Sequence, residues 1–507
     1  MKQSMRAVIG ALALIAVSPP ILAQEDKAVP DFIPSTTLTP DSYFRFSFTR
    51  EAEGLIPLPL AVAVIGIQTA ASAVSDVPIP TSNPDEAAAL FGPGSELSLM
   101  IDKVFETGAL FGQQPRVWAV PLADPAGSAT ATPLTIAGLA TADGFIRIEI
   151  AGVLIDAQVR NGDSASQAAQ SLRDAVLASI RRVPVTASEA AGVVTLTNNF
   201  NGVHGNDVVV RAIATVPGLT VTLGVATPGT GTASPVGALA NLLAVDVNGV
   251  ILPHHTSVEV QAASDHADVA WEPGRKRWRH MHFGTTGDNS AAGALGAINT
   301  FKVLVTAFEN ASSMPSQIAA VMGTLPYCTE NPNFNWSGYD RLPLIGPSSV
   351  ADRYSPIDIE ELLALGVTPL VISEERPDRA SVIRLVTTQT ALGSPAIPTT
   401  QLLDASVTLV TAYSARQLDA SYKISFGPDS RGPRIINEEL LDRVRRMIIA
   451  TLRAIERAGF IRDVDERKAS IAVYEPVPTV PGRIVADVPL EPTPQLFQVA
   501  FDVQVFS

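Results

Sequence analysis

The sequence predicts a mixed α/β (α+β) multidomain fold in which a β-rich domain is inserted into an α/β domain. Three observations predict it. The chain has 507 residues, more than a single core ordinarily organises, so two to four domains are expected. Residues 59–124 alternate apolar strand patterns with helical ones, and this character returns from residue 236 onward, as in a sheet layered with helices. Between them, residues 125–231 turn to Thr, Val, Ala and Gly, with short strands and one helix. Composition agrees: 46% apolar and 17% charged residues can fill several cores and exclude global disorder. One cysteine, Cys328, excludes an intrachain disulfide framework and a cysteine-rich metal centre. A net charge of −14, from 36 basic and 50 acidic residues, argues against a general nucleic-acid binder.

Residues 1–58 read as an N-terminal arm with a signal-like apolar start. Lys2 and Arg6 precede an apolar run over 7–17, then Ser18-Pro19-Pro20 and the small residue Ala23, the order of parts in a secretory signal. Ile21 is bulky for its place ahead of a cleavage site. Two readings stand: a signal removed after Ala23, or an apolar arm that stays on the protein. The run is too short to span a bilayer comfortably, and no later stretch is long and apolar enough, so no integral membrane segment is expected.

The elements follow in order. Phe44, Phe46 and Phe48 alternate with Arg45, Ser47 and Thr49, the period of a half-buried strand. Residues 61–67 form a near-continuous apolar strand, suited to a sheet covered on both faces. Pro84-Asp85-Glu86 opens a helix that Gly92 stops; 98–111 is a second helix and 116–120 a strand. In the insertion, strands are expected over 132–140, 144–150, 153–160, 193–197 and 207–212, with one more around Thr186. Ser164 with Gln167 marks a capping box before Leu172, Val176 and Ile180. Residues 226–235 read as a linker. Beyond it come a helix end at 238–243, strands over 247–252 and 300–308, a helix over 316–322 and a turn-rich passage over 326–356. A helix over 357–365 ends at Gly366, and strands over 369–373 and 380–388 follow. The longest clear helix spans 437–458, with Leu441, Val444, Ile448, Leu452 and Ile455 as its stripe and Glu438, Glu439 and Arg457 matched to its dipole. Strands over 471–475 and 483–488 precede the sharpest alternation in the chain: Phe497, Val499, Phe501, Val503 and Val505 on one face, Gln498, Ala500, Asp502 and Gln504 on the other.

Catalytic chemistry finds little support. His204, His254, His255, His266, His280 and His282 are the six histidines. His280 and His282 share one side of a strand, but no H-E-x-x-H helix accompanies them, so solvated or core histidines are the plainer reading than a metal site. No G-x-S-x-G, Walker A or strand-linked G-x-G-x-x-G occurs, and Gly229-Thr230-Gly231 sits in the linker. The expectation is no enzyme, no cofactor and no metal. The one dense basic run is Arg275-Lys276-Arg277-Trp278-Arg279. An exposed loop and a phosphate contact are alternatives, but in an acidic chain protein–protein docking is favoured, with Trp278 as anchor.

Both chain ends thus carry extended, Phe-rich alternating segments. Each completes a sheet in its own subunit, or is given to a neighbour by strand addition. Head-to-tail addition builds rings or filaments rather than closed dimers.

Several segments carry a family likeness in their order and spacing: Val62-Ala63-Val64-Ile65-Gly66-Ile67; residues 82–100; Val117-Trp118-Ala119-Val120; Gly192-Val193-Val194-Thr195-Leu196-Thr197 with His204-Gly205-Asn206-Asp207; residues 382–389; and the C-terminal block of helix 437–458, Ala458-Gly459-Phe460 and the final strand. Over roughly residues 60–507 the sequence resembles the tail sheath proteins of contractile-tailed bacteriophages, of the Mu-like type. The resemblance implies an inner mixed-sheet domain built from both chain ends, outward-projecting insertions, and terminal arms that donate strands to neighbouring subunits. Its parts here are the arm 1–58, sheath-domain segments 59–124 and 357–490, the inserted outer domain 125–231, a middle α/β domain 236–356 and a C-terminal strand arm 491–507. The donated strands are 41–50, with Phe44, Phe46 and Phe48, and 495–507, with Phe497, Val499, Phe501, Val503 and Val505. Arg443, Arg446, Arg453 and Arg457 become candidates for the surface nearest the tube, an ordinary solvated face being the alternative.

The resemblance further implies stacked hexameric rings of this chain around a tail tube protein, with baseplate and tail terminator proteins as partners, and contraction that drives the tube through a host envelope. The location is then a virion tail assembled in host cytoplasm. The sheath of a phage-derived bacterial injection system is one alternative, and an exported enzyme or binding protein is the other. The first 58 residues, the region 262–290 and the Asn/Trp passage 331–340 depart from the family pattern; the last two are expected to be surface elaborations.

Overall fold

The structure, a computed structural model, describes residues 60–70, 72–253, 256–372, 379–393, 397–426, 436–476 and 482–496. The signal-like start, the strand at Phe44, Phe46 and Phe48, the final strand at Phe497, Val499, Phe501, Val503 and Val505, and His254 and His255 lie outside the described residues.

In chain order, the first segment contains β1 (Ala61–Ile67), β2 (Ile79–Thr81), α1 (Pro84–Phe91), α2 (Glu96–Phe111) and β3 (Arg116–Leu122). The insertion holds β4 (Ala131–Gly138), β5 (Gly144–Ile150), β6 (Val153–Val159), α3 (Ala165–Ala178), β7 (Val185–Ala190), β8 (Val193–Asn198), β9 (Val210–Ala214) and β10 (Leu219–Leu223). The chain then returns through α4 (Val236–Leu242), β11 (Gly249–Ile251), α5 (Ser257–Ala270), β12 (His280–Thr285), α6 (Asn289–Gly296), β13 (Val303–Ala307), α7 (Pro315–Thr324), α8 (Pro356–Ala364), β14 (Val367–Ile372) and β15 (Ala380–Val382). Last come the small pair β16 (Ala391–Leu392) and β17 (Ile397–Pro398), the helices α9 (Ala405–Phe426), α10 (Glu438–Arg457) and α11 (Val464–Arg467), and β18 (Ala472–Tyr474) with β19 (Val485–Asp487).

The protein is a mixed α/β multidomain fold. Its main sheet has eight strands in the order β15-β14-β13-β12-β11-β1-β3-β2. All neighbours from β14 to β3 are parallel; only the edge strands β15 and β2 run antiparallel. The chain on both sides of the insertion therefore builds one sheet. Strand periodicity sorts β1 between two layers. Val62 and Val64 face a cluster with Met100 and Ile101 of α2 and Ile318 and Val321 of α7. Ala61, Ala63, Ile65 and Ile67 face the opposite layer, with Leu239 of α4 and Val260 and Ala263 of α5. All seven residues of β1 are buried, which is why the segment reads as a continuous apolar run. Gly66 is needed for close approach: a Cβ there would lie 3.0 Å from Leu97 Cα of α2.

The inserted domain has its own core. A four-stranded sheet (β10-β4-β8-β7) and a three-stranded sheet (β6-β5-β9) enclose Leu134, Ile148, Ile155 and Leu196 together with Ala168, Leu172 and Val176 of α3. The capping box at Ser164 and Gln167 forms as its sequence predicts, with Ser164 N–H donating to Gln167 Oε1 at 2.9 Å.

Three expectations are corrected. The region 262–290 is not a surface elaboration: it supplies much of α5 and all of β12, a strand buried at all six positions. The longest described helix is α9, of 22 residues, over a stretch with no expected element. The strand expected over 380–388 ends at Val382; beyond it Thr387 and Thr388 are buried and donate backbone N–H groups to Leu403 O and Val303 O.

Candidate functional site

No catalytic constellation is singled out by the described residues, so the candidate sites are surfaces. The first is built on α10. Its Asn437 cap accepts from Leu440 N–H at 2.9 Å, and Glu438 and Glu439 sit in its first turn. Leu440, Val444, Ile448, Thr451, Leu452 and Ile455 form the buried stripe; Leu441, counted into the stripe by sequence, is half-buried beside it. The stripe packs on Val410, Tyr413 and Leu418 of α9 and on Phe460, Ile461 and Ile471.

The four expected arginines of α10 have different surroundings. Arg443 lies over the ring of Phe426 at 5.5 Å. Arg446 is exposed and pairs with Asp442 at 3.1 Å one turn earlier. Arg453 pairs with Asp465, whose carboxyl is held below its usual range by hydrogen bonds from Arg453 and then Lys468. Arg457 is exposed and donates to Arg453 O at 3.2 Å. Arg445, not singled out by sequence, donates to Lys468 O at 3.0 Å and ties α10 to the turn after α11. This leaves Arg446 and Arg457 as the exposed cations of the four.

Against α10 lies the β18–β19 hairpin, paired antiparallel through Ala472↔Asp487, Val473↔Ala486 and Tyr474↔Val485. Each strand has only the other as a ladder partner among the described residues. Ala486 and Asp487 are exposed. The sequence indicated both strands, but nothing in it signalled that the pair would stop at two.

The basic run is the main correction to the expected sites. Trp278 is 2% exposed and Arg279 fully buried, so neither is a surface anchor. Trp278 packs with Trp271 and with Ala412 and Ala415 of α9. Arg279 donates to Leu242 O at 2.9 Å and Val245 O at 2.7 Å. Leu242 is the last residue of α4 and Val245 lies in the turn after it, where the helix dipole favours a cation. Burial, with Arg416 nearby, lowers the pKa of Arg279 to about 9. Lys276 pairs with Asp419 of α9 at 2.9 Å, both nearly buried, and Arg277 lies 3.7 Å from Asp246. Arg275 is exposed and pairs with Glu272 at 2.9 Å. The run does dock on acidic groups, but much of its contact is within its own chain: it fastens α9 to the main sheet.

The described histidines are dispersed. His280 meets the edge of Trp271, and His282 Nε2 lies 3.2 Å from Tyr327 Oη; burial pushes both pKa values down to about 3, so both stay neutral. Among the described residues no group of three or more His, Cys, Asp and Glu converges as metal ligands do. His204 joins the two large domains. Its Nδ1 is 3.0 Å from Glu96 Oε1, and Glu96 Oε2 also accepts from Ile67 N–H at 3.2 Å. Burial alone would lower the His204 pKa, but the charge and hydrogen bond of Glu96, with Glu259 and Asp207 behind it, raise it to about 9.

No family model matches the chain. Over 181 residues it is 32% identical to the Mu-like prophage FluMu tail sheath protein of Haemophilus influenzae; the match covers 35% of this chain and 36% of that relative's length. Among solved structures, the sheath tail protein from Desulfitobacterium hafniense matches at a TM-score of 0.45 and 13% identity, over 83% of this chain and 91% of that one. The sheath complex of an extracellular contractile injection system (PVC), in its contracted state, matches at 0.47 and 10% identity, over 92% of this chain and 98% of that one. Scores below 0.5 add nothing to the fold that the strand order already defines. What the chain is similar to in sequence, over about a third of its length, is a tail sheath protein.

Proposed function

We propose that this chain is the structural subunit of a contractile tail sheath of the Mu-like type. Copies stack as hexameric rings around a tail tube protein, between baseplate and tail terminator proteins. Contraction drives the tube through the host envelope for genome ejection. The subunit works mechanically, without catalytic step, cofactor or metal, and resides in a virion tail after assembly in host cytoplasm. The same account holds for the sheath of a phage-derived injection device; the genes that flank this chain's own separate the two.

The observation that carries the reading is the β18–β19 hairpin. A two-stranded sheet is marginal by itself, and this one rests on α10 with no third strand among the described residues. The same chain carries Phe-rich alternating segments at 41–50 and 495–507. A neighbour's segment added to such an edge gains main-chain hydrogen bonds along its length, while alternate side chains take the covered face. The donor and acceptor surfaces differ, so the contact is head-to-tail and propagates. The extended lattice stores free energy in subunit contacts; on contraction the rigid subunits rotate and slide while the strand links hold. The test is removal of residues 495–507. The shortened chain is expected to sediment as a folded, unassembled subunit; assemblies of the full-length size would contradict the reading.

A further inference from the structure

We propose that the loop 331–336 is a clasp that fixes the point from which the C-terminal tail leaves the subunit. The inference rests on the sheath reading for its purpose, but its geometry stands alone.

The loop follows an alternation of its own. Asn331, Asn333 and Asn335 alternate with Pro332, Phe334 and Trp336. Asn331 Oδ1 accepts from Asn333 N–H at 2.9 Å, and Asn335 Oδ1 accepts from Ser337 N–H at 2.9 Å, two Asx turns that stiffen the backbone. The aromatic positions anchor it inward. Trp336 is 4% exposed, lies 4.4 Å from the ring of Phe334 and meets Phe111 edge-on at 5.4 Å.

The asparagine amides face the other way, onto residues 493–496. Asn333 Nδ2 donates to Thr493 O at 2.9 Å, and Asn335 Nδ2 to Leu496 O at 3.4 Å. Gln495 Nε2 answers by donating to both Asn333 O and Asn333 Oδ1 at 3.0 Å. The two donors thus read main-chain carbonyls three residues apart. The peptide they hold is biased toward an extended form by its own sequence, since Pro492 and Pro494 restrict themselves and their preceding residues to extended backbone. Its upstream end is fastened to the helical unit formed by α9, α10 and α11. Glu491 pairs with Arg462 and Arg467, and Thr493 N–H donates to Phe460 O at 3.0 Å. Residues 491–496 therefore bridge the helical unit and the main-sheet domain, and end at Leu496, 72% exposed. A tail that starts from a fixed point and direction loses less freedom when it joins a neighbour's sheet than one on a loose linker.

The experiment uses the full chain with Asn333→Asp and Asn335→Asp together. This change keeps size and both side-chain acceptor oxygens, removes the two NH2 donors and adds two negative charges; Gln495→Ala is the control without added charge. Hydrogen exchange at Thr493, Gln495 and Leu496 is expected to rise about tenfold, since two hydrogen bonds are lost, with little change in the thermal midpoint of the subunit. Tube assembly is expected to slow and yield shorter tubes. Gln495→Ala, altered from the peptide side, is expected to do the same. Unchanged exchange in both variants would overturn the clasp, and faster exchange with wild-type assembly rate and tube length would overturn its role in launching the tail. A wild-type chain that never forms tubes would instead sink the sheath reading, while the exchange result still decides the clasp.

Discussion

Glu96 and His204 are buried at 1% and 4% exposure and join the first turn of α2 to the turn that precedes β9. A buried pair of this kind is not a large net source of stability, but the loss of one partner strands the other charge. His204→Ala is expected to cost about 3–5 kcal/mol in urea unfolding. The pair also sets a pH limit. The folded pKa of His204, about 9, lies above its ordinary value of 6.5. Its contribution is therefore complete below about pH 6.5 and is lost as pH rises through about 9. Thermal melts from pH 7 to 10 are expected to show an alkaline loss of stability in the wild type and a flatter profile in His204→Gln. At the basic run, Trp278→Ala is expected to destabilise the isolated subunit by about 3–5 kcal/mol, as a core truncation does. Arg275→Ala is expected to stay within about 0.5 kcal/mol, as an exposed ion pair does. Equal, negligible effects in subunit melts would restore the run as a surface patch.

At the scale of elements, legibility followed contrast between polar and apolar faces. β1 announced itself by seven apolar or small residues in a row, α10 by its stripe and dipole charges, and α3 by its capping box. α9 did not, because Thr408, Thr411 and Ser414 are buried among its apolar residues. Their hydroxyls are satisfied by carbonyls three or four residues back, so the sequence shows no amphipathic stripe. β12 was read as a strand under His280 and His282 but not as core, for a related reason: both look polar in sequence but are held neutral in the core. Arg279 misled most, since a guanidinium that caps a buried helix end cannot be told by sequence from one in water. The candidate site was legible in its strands and not in their partners, because pairing between distant segments leaves no local trace. The hairpin itself makes a direct prediction. A synthetic peptide of residues 495–507, added to the chain shortened by those residues, is expected to bind and add β-sheet signal in the infrared amide band. No binding by calorimetry at high peptide concentration would count against strand addition.

For the whole molecule, the main-sheet domain is covered on both faces, the inserted domain has a separate core, and α9 is fastened to the sheet by Lys276 and Trp278. Such packing suits the proposed contraction, in which rigid subunits rotate and slide. The excess of acidic over basic residues favours solubility before assembly, so association depends on specific contacts. Under the proposed function, copies of this chain join head-to-tail into an open tubular lattice. Negative-stain electron microscopy of the purified full-length chain tests it most directly. Hollow tubes built of stacked six-fold rings are expected; a field of single subunits or small closed oligomers at high protein concentration would rule out head-to-tail assembly.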